Sequence, residues 1–155
     1  MRNRKESLIR DILLENYQSY YRLAFSYVHR EADAMDIVQE GAYKAMLKAG
    51  SLREECFAGT WIYRIMINTA KDYMKKYEKE CVLPEEISAD DRENGMEMDL
   101  RAAVDKLPMR EKTLIILRFY EEKPLSEIAD ILQENLSTVK SRLYRTLEKL
   151  RQELD

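Results

Sequence analysis

Between Leu125 and Leu150, apolar residues recur at helical spacing twice, with a short polar break between the two runs. Leu125, Ile128, Ala129 and Leu132 stand at i, i+3, i+4 and i+7, the spacing that puts side chains on one buried face of a short helix. Pro124 precedes this run and Ser126 is placed to cap it. After Gln133-Glu134-Asn135, Ser137 is a natural N-cap for a second helix, whose buried stripe is expected at Leu136, Val139, Leu143, Leu147 and Leu150. Such a pattern admits little besides two short helices joined by a tight turn.

The second of these helices has a distinctive outer side. Ser137, Lys140, Ser141, Tyr144 and Arg145 lie opposite the apolar stripe. From Ser137 to Leu147 the charged residues are Lys140, Arg142 and Arg145, with no acid among them. A basic, hydroxyl-bearing helix face can enter a major groove, its hydroxyls and amides on phosphates and its arginine on a guanine edge. The pattern therefore points to a helix-turn-helix that binds DNA. A solvated basic face is the plainer alternative.

The rest of the chain is helical in pattern too. Ile9, Ile12, Leu13, Asn16, Tyr20, Leu23, Ala24 and Tyr27 predict one helix ending at His29-Arg30-Glu31. Ala34, Ile37, Val38, Gly41, Ala42 and Ala45 predict a second, stopping near Gly50. A loop through residues 51–59 follows. Ile62, Ile65, Met66, Thr69 and Tyr73 then predict a third helix, from Thr60 to about Tyr77. Leu100, Ala103, Val104 and Leu107 predict a helix stopped by Pro108, and residues 112–119 another. No stretch alternates as a strand does.

Between these groups the composition changes. Residues 79–98 contain Pro84 and Gly95 and little apolar material; from Glu85 to Asp99 the acids Glu85, Glu86, Asp90, Asp91, Glu93, Glu97 and Asp99 face a single Arg92. Such a segment lacks the apolar surface that would offset its ordering entropy and reads as a flexible linker. The expected fold is therefore all-α: two small helical domains, residues 1–78 and 99–155, joined by a flexible acidic linker over 79–98, the second a helix-turn-helix domain. The 155 residues suffice for this.

The net charge of −3 gives no hint of nucleic acid, but basic residues gather in the last helix and in Lys71, Lys75, Lys76 and Lys79. Cys56 and Cys81 have no CxxC spacing and no nearby His, which argues against a disulfide framework or a zinc site. No run suits a signal peptide or approaches the roughly 20 apolar residues of a membrane span, so a cytoplasmic protein without direct membrane insertion is expected. No Gly-rich phosphate loop, metal cluster or catalytic carboxylate pair is present. His29 reads as a helix-end residue, and no catalytic activity, small-molecule substrate or cofactor is expected.

Taken in order, these segments resemble an extracytoplasmic-function sigma factor of bacterial RNA polymerase, of the sigma-70 family, over nearly the whole chain. Tyr21-Arg22-Leu23-Ala24-Phe25-Ser26-Tyr27, followed by Asp33-Ala34-Met35-Asp36-Ile37-Val38-Gln39-Glu40, looks like the family's first conserved region. Residues 57–73, from Phe57-Ala58-Gly59-Thr60-Trp61 to Tyr73, look like its promoter-melting helix. Leu107-Pro108-Met109-Arg110-Glu111-Lys112, Leu117-Arg118-Phe119-Tyr120, Glu127-Ile128-Ala129 and residues 138–145 are similar to its C-terminal region. Two positions depart from the pattern. Gln133 stands where the family usually has Gly, in a turn that favours a left-handed residue, at a cost of ~1 kcal/mol, with Asn135 able to carry part of the turn. Lys75 stands where arginine is common, which weakens the case for bidentate contacts but not for phosphate attraction.

The resemblance implies roles. The outward strip Asp36, Gln39, Glu40 and Tyr43 would dock on the clamp helices of the polymerase largest subunit; without the resemblance it would read as a solvated acidic face. Trp61, Arg64, Asn68, Asp72 and Lys75, at steps of three and four, would open the minus-ten element, stacking and hydrogen-bonding single-stranded bases. The loop over residues 50–58 would receive a flipped base. Trp61 is equally open to a plain core position. Lys140, Ser141, Tyr144 and Arg145 would read the minus-thirty-five element, with Ser137, Thr138 and Arg142 on phosphates. The implied partners are core RNA polymerase, through its clamp helices and flap, promoter DNA and an anti-sigma factor that could hold the protein at the membrane. The acidic linker would thread the channel later used by RNA, and the family commonly answers envelope or environmental stress. An autonomous helix-turn-helix regulator, expected to dimerise on two half-sites, and a nucleic-acid enzyme such as a recombinase carrying this module are the alternatives.

Overall fold

The computed structural model describes residues 2–80 and 95–154, and among these residues all regular structure is helical. The chain divides into two compact units, Met1–Glu85 and Glu86–Asp155. The middle of the expected acidic linker, residues 81–94, lies outside the described residues. Its expected ends do not: the helix before it continues to Glu80 and the helix after it starts at Gly95.

The first unit holds α1 (Arg2–Glu15), α2 (Tyr17–Val28), α3 (Glu31–Leu47) and α4 (Ala58–Glu80). The expected first helix is thus two. The break is at Asn16, which leaves helical geometry at φ −113°, ψ 19° while its side-chain amide donates to the Ile12 carbonyl at 3.0 Å. An asparagine side chain competing for the preceding turn's carbonyl loosens a helix there. His29 closes α2 in the left-handed region, φ 57°, its N–H donating to the Phe25 carbonyl. Ile9, Tyr20, Leu23, Ile37 and Ile62 are fully or almost fully buried, and the Tyr20 and Tyr63 rings meet edge to face at 5.1 Å. Helices α3 and α4 approach so closely at Gly41 that a Cβ there would lie 2.5 Å from the Met66 sulfur. The Tyr73 hydroxyl donates to the Asp33 carboxylate at 2.6 Å, tying α4 to the first turn of α3.

The loop between α3 and α4 has structure of its own. Two 3₁₀ turns, Ala49–Ser51 and Glu55–Phe57, are anchored by the buried side chains of Ala49, Leu52 and Ala58. Gly50 lies inside the first turn rather than stopping α3, which ends at Leu47.

The second unit holds α5 (Gly95–Asp105), α6 (Met109–Ile115) with a wide π-type turn over Ile116–Tyr120, α7 (Leu125–Leu132) and α8 (Leu136–Leu154). Helix α5 ends at Asp105, short of the stop expected at Pro108; Pro108 stands instead at the N-cap position of α6, which starts three residues before the expected Lys112. Leu100, expected in the core, is 45 % exposed. The core instead gathers Leu114, Leu117, Ile128 and Val139, with Thr113 and Thr146 fully buried among them. Lys112 is buried as well, and burial pushes its ammonium below the usual lysine range against the opposing pull of the Asp105 carboxylate.

Candidate nucleic-acid interface

The turn between α7 and α8 sets where α8 points. Gln133 sits in the left-handed region, φ 57°, ψ 48°, in the conformation expected of the glycine it replaces. Its N–H donates to the Asp130 carbonyl and that of Glu134 to the Ala129 carbonyl, so these two carbonyls of the last turns of α7 are satisfied despite the missing glycine. Asn135 does not share the left-handed duty. It stands one residue before α8, and its carbonyl accepts the Val139 N–H at 3.0 Å. Ser137 is consequently inside the first turn rather than at the cap. Pro124, not Ser126, occupies the cap position of α7, without a side-chain cap bond.

The buried stripe of α8 is Val139, Leu143, Thr146 and Leu150. Leu136 and Leu147, both expected inside, are 40 % and 36 % exposed. The helix turns about 100° per residue, so Leu143, Thr146 and Leu150 fall within about 40° of Val139, whereas Leu136 and Leu147 fall about 60–80° away. A threonine hydroxyl makes the residue a poor core candidate on composition alone.

On the other side Ser137, Thr138, Lys140, Ser141, Tyr144 and Arg145 are all exposed, Tyr144 at 66 %. Arg142 differs. Its guanidinium binds the Glu134 carboxylate, and both side chains are only 15 % exposed. The second oxygen of Glu134 accepts from Arg110 at the start of α6, at 2.8 Å. Further along, Lys149 of α8 pairs with Glu111 of α6 at 2.9 Å.

In the first unit, α4 carries Trp61, Arg64, Asn68, Asp72 and Lys75 along one side. Asn68, Asp72 and Lys75 are exposed; Trp61 and Arg64 are half-buried. Trp61 is therefore not a fully buried core residue. The interior of α4 is built instead from Ala58, Thr60, Ile62, Tyr63, Met66, Thr69 and Ala70. Phe57, in the turn leading into α4, is 49 % exposed, an aromatic ring beside the polar strip that the helical pattern did not single out because it lies in the loop. On α3, Asp36, Gln39, Glu40 and Tyr43 are all exposed. Glu40 pairs with Lys44 one turn on, at 3.4 Å. Met35 and Leu47, one turn from Gln39 and Tyr43, are exposed too and give this acidic strip an apolar flank. Periodicity gave no signal for them, since an isolated exposed Met or Leu is common on any helix.

Among the described residues no group of His, Cys, Asp and Glu is placed to hold a metal ion, and no helix is long and apolar enough to cross a membrane. Cys56 is an exposed free thiol; Cys81 lies outside the described residues.

Comparison with known proteins covers both units. The family model for sigma-70 region 2 matches residues 12–80, and that for sigma-70 region 4 matches residues 103–152. The chain is 41 % identical to the RNA polymerase sigma factor SigV of Bacillus subtilis over 153 residues, 96 % of this chain and 92 % of the relative. It is 32 % identical to the ECF RNA polymerase sigma-E factor of Haemophilus influenzae, over 90 % of this chain and 84 % of the relative. It shares its fold with the sigma factor RpoE in complex with the anti-sigma factor NepR from Bartonella quintana, at a TM-score of 0.74 and 22 % identity, over 94 % of this chain and 95 % of that one. With relatives matched across almost their full length and both conserved regions in order, the chain belongs to the extracytoplasmic-function sigma factors of RNA polymerase, non-enzymatic transcription initiation factors of the sigma-70 family.

Proposed function

We propose that this sigma factor binds core RNA polymerase in the cytoplasm and directs promoter recognition, strand opening and initiation, with the labour divided between its units. The second unit, from about residue 99, reads the duplex minus-thirty-five element through α8 and contacts the polymerase flap. Lys140, Ser141, Tyr144 and Arg145 face base edges, and Ser137 and Thr138 hold phosphates. The first unit, to about residue 78, opens the minus-ten element along Trp61, Arg64, Asn68, Asp72 and Lys75 and docks on the clamp helices through Asp36, Gln39, Glu40 and Tyr43. The loop before α4 takes a flipped base, with Phe57 adding a ring to the stacking surface.

The observation that carries the reading is the outward face of α8: exposed hydroxyls, amine and guanidinium over successive turns, with no acid from Ser137 to Leu147, presented by a helix-turn-helix whose turn is closed by Gln133. The solved relative bound to NepR supports an anti-sigma factor as a further partner. Co-purification with core polymerase, followed by run-off transcription from a genomic fragment library, tests the reading. Promoter-dependent transcripts that require both proteins are expected. Tight, sequence-specific promoter binding by the isolated chain would instead identify an autonomous regulator, because two small tethered modules gain their affinity from being held together on the polymerase.

A further inference from the structure

Glu134 occupies an unusual place: a carboxylate in the turn of the helix-turn-helix, next to the helix proposed to meet DNA. Each of its oxygens takes one guanidinium, Oε1 from Arg142 of α8 and Oε2 from Arg110 of α6. Arg110 is well exposed, whereas Arg142 and Glu134 are both largely covered. An ion pair so covered is screened little by salt and persists under conditions that weaken surface pairs. For Arg142 to reach a phosphate it must leave a covered carboxylate short of a partner, and breaking a buried pair is costly. Of the three cations in the first turns of α8, only Lys140 and Arg145 are then placed for DNA. The contact surface is left rich in hydroxyls and poor in charge.

We propose that Glu134 is a positioning residue that sets promoter specificity: it withholds Arg142 from the DNA backbone and, through Arg110, fixes the tilt of α8 against α6. The consequence is a recognition helix whose binding leans on base-edge contacts rather than on the phosphate attraction common to all sequences. The inference rests on the reading that α8 contacts duplex promoter DNA.

The test uses holoenzyme reconstituted from core polymerase and the full chain. The probes are a promoter fragment selected by the wild type from a library randomised at the minus-thirty-five element, and the same fragment with that element scrambled. Binding to both is measured over a salt series. Glu134→Gln should free Arg142 to make one more phosphate contact, steepening the slope of log affinity against log salt by about 0.9. It should also lower the preference for the selected over the scrambled fragment. Arg142→Ala should weaken binding to the selected fragment by a similar factor at every salt, with the slope unchanged. The double variant should return to the wild-type slope. A slope flattened by about 0.9 in Arg142→Ala would mean that Arg142 already holds a phosphate, and would overturn the proposal. So would Glu134→Gln with unchanged slope and preference. If thermal unfolding shows that Glu134→Gln fails to fold, the slope of Arg142→Ala decides alone. Arg145→Ala is the control for the underlying reading: if it leaves binding to both fragments untouched, α8 does not read this DNA. If it weakens binding while the Glu134 results fail, only the positioning role is lost.

Discussion

Gly41→Ala should destabilise the first unit, although alanine is the better helix former. The Cβ would sit 2.5 Å from the Met66 sulfur and 3.2 Å from its terminal methyl, where ordinary carbon contacts lie at about 3.5–4.0 Å. Met66 is buried, so its side chain must move within a packed interior. Methionine spreads the strain over several torsions. Inserting a methyl into a packed core nonetheless costs about 1–3 kcal/mol. Against this stands the gain of about 1 kcal/mol for replacing glycine in a helix interior. The net is a loss of up to about 2 kcal/mol, and for a unit of this size each 1 kcal/mol lowers Tm by about 4–8 °C. The assay is a double-mutant cycle by thermal and denaturant unfolding. Met66→Ala alone should cost about 2–5 kcal/mol through the cavity it leaves. In that background the sulfur is gone, and Gly41→Ala should become stabilising by about 1 kcal/mol. The change of sign is the prediction. If Gly41→Ala stabilised both backgrounds equally, the close approach of α3 and α4 would not constrain position 41 and the argument would fail.

Thr146→Val should stabilise the second unit by about 1 kcal/mol, read by denaturant midpoint, because the buried Thr146 hydroxyl has no hydrogen-bond partner among the described residues and an isosteric methyl removes its desolvation cost; a loss of stability would reveal a partner. Arg145→Ala should cost ~1–3 kcal/mol at its base contact and weaken initiation that depends on the minus-thirty-five element. Asn68→Ala should spare duplex binding by holoenzyme and impair opening, seen as weaker permanganate reactivity of thymines at the minus-ten element; equal loss of binding in both would refute the division of roles. Burial lowers the Lys112 ammonium in the folded state, so the unfolded chain binds more protons in the window between the folded and unfolded values. Stability should therefore rise with pH through that alkaline window, by at most about 1.4 kcal/mol per pH unit, and level off above the unfolded lysine value. Lys112→Met should abolish that rise, and parallel pH profiles for variant and wild type would contradict it.

Local chemistry made much of this protein legible without coordinates. Apolar spacing placed α3, α4, α7 and α8 and ran α1 and α2 together, because burial on a helix repeats every 3.6 residues and needs no knowledge of the partner. The demand for a left-handed residue at position 133 came from the resemblance to the family, which usually has glycine there, and Gln133 adopts that conformation, φ 57°. The outward residues of α8, Ser137, Lys140, Ser141, Tyr144 and Arg145, were readable as the complement of its stripe, and all are exposed. Spacing blurs at single positions, as the exchange of Leu147 for Thr146 inside α8 shows. The α1–α2 break turned on one asparagine amide competing for a carbonyl, a detail that periodicity averages away. What tertiary structure alone decided are contacts that helical spacing does not encode: the near collision of Gly41 with Met66, the Tyr73–Asp33 bond, and the pull of Glu134 on Arg142 and Arg110. In the sequence Arg142 is one more cation on a basic helix. In the fold it is held by a carboxylate eight residues back, which is itself held by an arginine of another helix. A helical pattern says which way a side chain points, but only the packing of the neighbouring helices determines whether its charge is already satisfied when it gets there.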